Sequence, residues 1–268
     1  MTVGQVYQSL CVEPTERVRL LDKALLFVYR VATMTHSGEN EERVWVFDDI
    51  PVELKVEDVL QTMRARKITP GLTKLVEEMA ARAREVARPK AMYTTAYVEI
   101  VSERTVSLDG HHFNSGVLRQ LLENIGRVFP FVATCGTEMD ELDVSPSDLM
   151  ASYCLDSIKM LAVQAARRRA QRHIMETYSV GKLSRMAPGS LEDWPLQEQR
   201  PLFDLLGDVE RSIGVRLTDK LLMVPVKSVS GVFFPTEVRF ESCLLCRREV
   251  CQGRRTPYDP ELAARYGV

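Results

Sequence analysis

Apolar positions along the chain alternate between strand-like and helix-like spacing. From Leu26 to Met34 and from Arg43 to Phe47, β-branched and aromatic residues flank Ser37-Gly38-Glu39-Asn40, which predicts two strands joined by a turn. Two helices follow. In the second, Leu72, Leu75, Val76, Met79, Ala83 and Val86 recur at helical spacing, with Pro70-Gly71 at its start and Pro89 at its end. Met92 to Val106 is rich in Tyr, Thr, Val and Ile and predicts a strand pair or one long strand, closed by Asp109-Gly110. Gly116 to Ile125 reads as a short helix and Val128 to Thr134 as a buried strand. The longest helix runs roughly from Pro146 to Glu176, with Met150, Cys154, Ile158, Leu161 and Ala165 on one face.

Periodicity is lost from Val180 to Trp194, which holds Gly181, Pro188 and Gly189 and reads as an ordered loop or extended strap. Pro195 suits a first helical position, with Asp193 as its cap. Leu202, Phe203, Leu206, Val209 and Ile213 then form an apolar stripe that stops at Gly214. Leu221 to Val226 and Val232 to Phe240 read as strands around a turn at Ser228-Val229-Ser230-Gly231. Strands and helices mix without strict alternation, so the expected fold is α+β, with an antiparallel or mixed twisted sheet and packed helices.

Composition narrows the function classes. The 268 residues are 45% apolar and 27% charged, and the net charge is −2, which removes any global electrostatic case for nucleic acid or an anionic membrane. Apolar runs such as Leu221 to Val226 fall well short of the roughly 20 residues of a membrane-spanning helix. Met1 to Cys11 has neither a basic start nor an apolar stretch, so a cytoplasmic protein is expected. Dinucleotide, P-loop, zinc-protease and serine-hydrolase motifs are absent. Of the four histidines, His111-His112 follows a turn, and His173 sits in the basic run Arg167, Arg168, Arg169, Arg172, read as a solvated helix face or a docking surface for an acidic partner. Positioning a reactive ligand fits this inventory better than proton transfer does.

Two segments are chemically specific yet lack core periodicity. One runs Leu183-Ser184-Arg185-Met186-Ala187-Pro188-Gly189-Ser190 through Trp194-Pro195-Leu196 to Glu198-Gln199-Arg200. The other is Met223-Val224-Pro225-Val226-Lys227-Ser228-Val229-Ser230-Gly231-Val232-Phe233-Phe234. With Ile213-Gly214-Val215-Arg216-Leu217-Thr218 between them, their order and spacing resemble the activation (reactivation) domain of cobalamin-dependent methionine synthase in a stand-alone form. Weaker similarity extends back through Cys135-Gly136 and Pro89-Lys90-Ala91-Met92-Tyr93. The implied organisation is an N-terminal extension or hairpin over 1–48, an activation-like domain over 49–242, and a cysteine-containing tail over 243–268.

The resemblance implies binding of S-adenosylmethionine (AdoMet) and docking on a methionine synthase or other corrinoid protein that presents cobalamin. A low-potential donor such as flavodoxin or ferredoxin reduces inactive Co(II), and AdoMet supplies the methyl group that traps it. Arg185 is matched to the AdoMet carboxylate as a bidentate fork. The Ala187-Pro188-Gly189 strap offers backbone groups to the adenine edge, with Gly189 permitting close approach. Ser190 stands where the family carries an aromatic residue, and Trp194 is near enough in sequence to substitute. Gln164 falls near the family's ammonium-binding glutamate, with Asp156, Glu138 and Asp140 as acidic alternatives. Two other readings remain open: a non-catalytic docking module, and an iron–sulfur electron carrier for another corrinoid system.

The last reading draws on Cys243, Cys246 and Cys251, a C-x2-C-x4-C pattern followed by Gly253-Arg254-Arg255. Three thiolates suit an iron–sulfur cluster or zinc only with a fourth ligand, for which Cys135 and Cys154 are available in sequence. Otherwise they are reduced, unliganded thiols.

Overall fold

In the computed structural model, the described residues are 44–268, less Asp143, Pro146 and Gln252. The expected strand at Leu26 to Met34 and its turn lie outside them. An antiparallel sheet is built around β6 (Arg127–Thr134), whose alternation sends Phe129, Phe131 and Ala133 to one face and Val128 and Val132 to the other. Along one edge of β6 lie β2 (Lys90–Thr94) and β3 (Ala96–Ile100), end to end; β1 (Val44–Phe47) pairs outside β2. Thus Met92 to Val106 spans three strands, because the chain steps out of register at Thr95 and turns again into β4 (Thr105–Leu108). The turn Asp109-Gly110 then leads to β5 (His111–Asn114).

The other edge of β6 carries β10 (Ser228–Pro235), with β7 (Leu183–Met186) beyond it. The predicted turn at Ser228–Gly231 is therefore the first half of a buried strand. Its small residues are needed by packing: a Cβ on Gly231 would lie 2.5 Å from the Met186 carbonyl oxygen and 3.4 Å from Ala187 Cα. The predicted strand at Leu221–Val226 shrinks to β9 (Met223–Val224), paired with β8 (Arg216–Leu217).

Helices cover both faces. On the first lies α4 (Leu149–Thr177), whose Ala166 and Ala170 are small enough to let it approach the aromatic side chains of Phe129, Phe131 and Phe233. Its buried stripe is Ala151, Cys154, Leu155, Ile158 and onward; Met150, expected on that stripe, is exposed. Against α4 pack α1 (Val56–Thr62) and α2 (Pro70–Val86). The second starts as its sequence predicts: Thr69 Oγ1 accepts from the Leu72 amide at 3.2 Å, Pro70 occupies the first turn, and Val76, Met79, Ala80 and Ala83 are buried. His173, expected in solvent, is half-buried; its Nδ1 is 2.9 Å from Tyr93 Oη, and its ring packs on Trp45 and Phe47.

The opposite face holds α3 (Gly116–Leu121), α5 (Gln199–Leu206), α6 (Val209–Ile213) and α7 (Pro260–Tyr266) around Trp194, Phe113 and Phe234. The single stripe expected from Leu202 to Ile213 is two helices, broken at Gly207 and stopped at left-handed Gly214. Residues after Cys243 join this face through buried Ala263, and Tyr266 lies against Phe240.

Asp193 caps a helix other than the one expected. It turns away from Pro195 and reaches the start of α3, accepting from Ser115 Oγ and from the amides of Gly116 (3.3 Å) and Val117 (2.9 Å). Arg104 Nη2 donates to it at 2.6 Å. Burial pushes its pKa up, but the hydrogen bonds from Ser115, Val117 and Arg104 outweigh that and hold the carboxyl below its usual value of 3.8. Asp193→Ala should lower the unfolding free energy by about 2 kcal/mol, measured by urea denaturation at pH 7. Because the folded pKa is depressed, this contribution is present above the unfolded pKa and fades as pH falls through the folded value, so wild type and variant should converge in strong acid.

Candidate functional site

The region that the sequence singles out is built where β7 leaves the sheet. Arg185 stands opposite Phe233 in the β7–β10 register, so its side chain emerges on the α4 face. Beyond Met186 the chain crosses over Gly231, where only the lack of a side chain admits it. A turn follows: the Ser190 amide donates to Ala187 O at 3.1 Å, and the amide of left-handed Gly189 donates to Trp194 O at 2.7 Å. Pro188 is buried and Gly189 exposed. Ser242 Oγ donates to Ser190 Oγ at 3.4 Å, tying the strap to the segment before the cysteines. Trp194 is fully buried edge-on against Phe113, on the face opposite Arg185, so it is not free to take the stacking place left by Ser190.

Arg185 is half-buried and has no carboxylate partner among the described residues. Burial pushes its pKa down and Arg255 adds to this, while Glu241 opposes and Arg239 adds again. Arg167, on α4, is brought down to about 10 by burial and then by Arg185, Arg168, Arg255 and Arg239. The one carboxylate in this group, Glu241, already accepts from Arg239 (3.0 Å) and Arg255 (3.2 Å). Sequence reasoning found Arg185 but not this arginine group. Arg167 and Arg168 were visible as a basic run, whereas Arg239 and Arg255 come near only through the path of the chain after β10.

Gln164 is half-buried on α4, one turn before Arg167 and Arg168. Asp156 lies about 12 Å further along the helix by its rise. It is exposed and pairs with Lys227 at 2.9 Å. Glu138 pairs with Lys90 at 3.2 Å, and Asp140 with Lys159. Each acidic alternative for the ammonium group thus has a lysine already in place.

The cysteines are not gathered into a ligand set among the described residues. Among the described residues no group of three or more His, Cys, Asp or Glu side chains is arranged to hold an ion. Cys243 lies within a single 3-10 turn at Ser242–Leu244 and Cys246 just after it, and the loop beyond is organised by Arg254. Its guanidinium donates to the carbonyls of Cys243 and Cys246 at 3.3 Å, of Thr256 at 3.5 Å, and of Arg248. Cys135 and Cys154 cannot supply a fourth ligand, because they are buried among α1, α2 and α4 while Cys246 packs on the other face of the sheet. Burial pushes both of those thiols up to about 11. At Cys243 burial acts in the same direction, but hydrogen bonds from Arg255 and Thr256 amides and the Arg255 charge prevail and lower the pKa.

Two comparisons bear on this region. Residues 166–243 match the family model of the vitamin B12 dependent methionine synthase activation domain. The fold matches the crystal structure of the MetH reactivation domain bound to AdoHcy, with TM-score 0.56 and 15% identity, over 75% of this chain and 81% of that one. No curated protein sequence matches the chain. The resemblance carried by Arg185 to Phe234 and the expected α+β fold are therefore borne out, and the matched segment contains the strap, Gly231 and Arg185. Among the described residues no helix is long and apolar enough to cross a membrane.

Iodoacetamide labelling at pH 7 followed by peptide mapping should modify Cys243 well before Cys135 and Cys154. Protection of Cys243 that chelators relieve would instead reveal a bound metal.

Proposed function

We propose that this chain binds AdoMet at Arg185 and the Ala187–Ser190 strap, and helps return a cobalamin-dependent methionine synthase from its Co(II) state to the methylated one. The observation that carries the reading is a half-buried guanidinium without a carboxylate partner among the described residues, set beside a preformed glycine turn. The fork of Arg185 matches an α-carboxylate in shape and charge. The Ala187–Gly189 backbone offers a surface to the nucleoside, with Gly189 exposed at its tip. Gln164 serves the ammonium group as a neutral acceptor.

No side chain has to move a proton. The chain would hold the sulfonium methyl toward the partner's cobalamin, whose chemistry would be to take one electron from a donor of the flavodoxin or ferredoxin kind and accept the methyl group, with S-adenosylhomocysteine as the leaving group. The partner is a cobalamin-carrying methionine synthase or related corrinoid protein, on which this chain acts in trans. The match of residues 166–243 to the activation domain supports the assignment of both ligand and partner.

A second reading, a docking module without useful AdoMet affinity, draws on Ser190, Gln164 and the surplus of positive charge around Arg185. AdoMet carries a net positive charge, so those arginines oppose its binding. Calorimetric titration separates the two. AdoMet should bind, and Arg185→Ala should weaken it by about 2 kcal/mol, with Arg185→Lys recovering only part because the fork is lost. Unchanged binding in Arg185→Ala would remove this residue from the site. Capture of a cobalamin protein without any AdoMet heat would favour the docking module.

A further inference from the structure

An open cleft of about 700 Å³ lies beside Arg185, between α4 and the segment that follows β10. The strap residues Ala187–Ser190 do not line it. Its walls carry Arg167, Arg168 and Arg172 from successive turns of α4, together with Arg239 from across the cleft, against one carboxylate, Glu176. We propose that this cleft is a second binding site, which takes a small organic phosphate carrying at least two negative charges, such as a nucleoside diphosphate.

Three observations lead there. Four guanidiniums line one open cleft with two carboxylates near them, Glu176 and the Glu241 that already pairs with Arg239. Among the described residues Arg167 donates to Gln171 Oε1, at 3.2 Å, and the carboxylate of Glu241 is already shared by Arg239 and Arg255. A solvated helix face would let such side chains spread apart, yet Arg167 is half-buried, and burial first and the neighbouring arginines second lower its affinity for the proton. The residue type also matters. Planar forks converging from two sides suit the tetrahedral oxygens of phosphate, and a single carboxylate would leave most of the charge uncompensated.

The cleft is shallow and open, with a volume in the range of small-molecule sites, so a compact dianion can meet several guanidiniums at once while remaining in contact with water. AdoMet is not this ligand, because its net charge has the wrong sign. The inference does not depend on the AdoMet reading.

The test uses the whole chain without AdoMet, at constant ionic strength, because exposed charges are readily screened. Calorimetry with inorganic pyrophosphate and with ADP should show saturable binding, stronger than for sulfate. Arg168→Ala and Arg172→Ala alter exposed side chains and should each weaken pyrophosphate by about tenfold, the loss of one charged hydrogen bond, with thermal unfolding unchanged. Pyrophosphate binding no tighter than sulfate, or undiminished in both variants, would overturn the proposal. Binding of polyglutamate but not pyrophosphate would overturn it in favour of an acidic protein partner. Loss of AdoMet binding in Arg185→Ala with pyrophosphate retained would separate the two sites.

Discussion

The path of the chain after β7 depends on a contact between two backbones. Met186 O and Ala187 Cα pass so close to Gly231 that no side chain could stand between them. That approach lets β7 lie along β10 and then cross it, and it sets Arg185 opposite Phe233 on the α4 face. At its far end the same segment is fastened by Asp193, whose carboxylate accepts from Ser115, Gly116 and Val117 at the start of α3. Both anchors lie in residues that are small or polar and make no contribution to apolar periodicity.

This explains which parts of the molecule were legible in the chain. The helix at Pro70–Val86 was readable because its cap, its proline and its apolar spacing are all local. β6 was readable because a run of β-branched and aromatic residues bounded by turn signals has few alternatives. Ser228–Gly231 was misread as a turn because serine and glycine are turn residues by propensity; their reason here is the crossing strap, which is remote in sequence. Asp193 was misassigned for the converse reason. It stands where a cap for the following helix would stand, yet α3, some 75 residues earlier by chain order, offers free amides on its own side. Trp194 was close to the strap in sequence but faces away from it, since the turn at Leu191–Trp194 carries the ring into the opposite core.

Arg185 itself was legible only through the ordered motif, because a lone arginine in a loop carries no signal. Its electrostatic surroundings were not legible at all. They are assembled from α4, from the segment after β10 and from the Arg254–Arg255 loop. The C-x2-C-x4-C pattern illustrates the limit from the other side. Spacing alone suggested a metal knuckle and gave no sign of the guanidinium that binds the carbonyl oxygens of the same loop.

The double fastening of the strap has a thermodynamic corollary. A recognition loop that must freeze upon contact forfeits chain entropy with every encounter, and its complexes become correspondingly weaker. Here that entropy is surrendered once, during folding, through Gly231 and Asp193. A ligand of the kind proposed for the Gly189 turn would therefore meet a shape already fixed by folding, and would be selected by shape and charge instead of by closure.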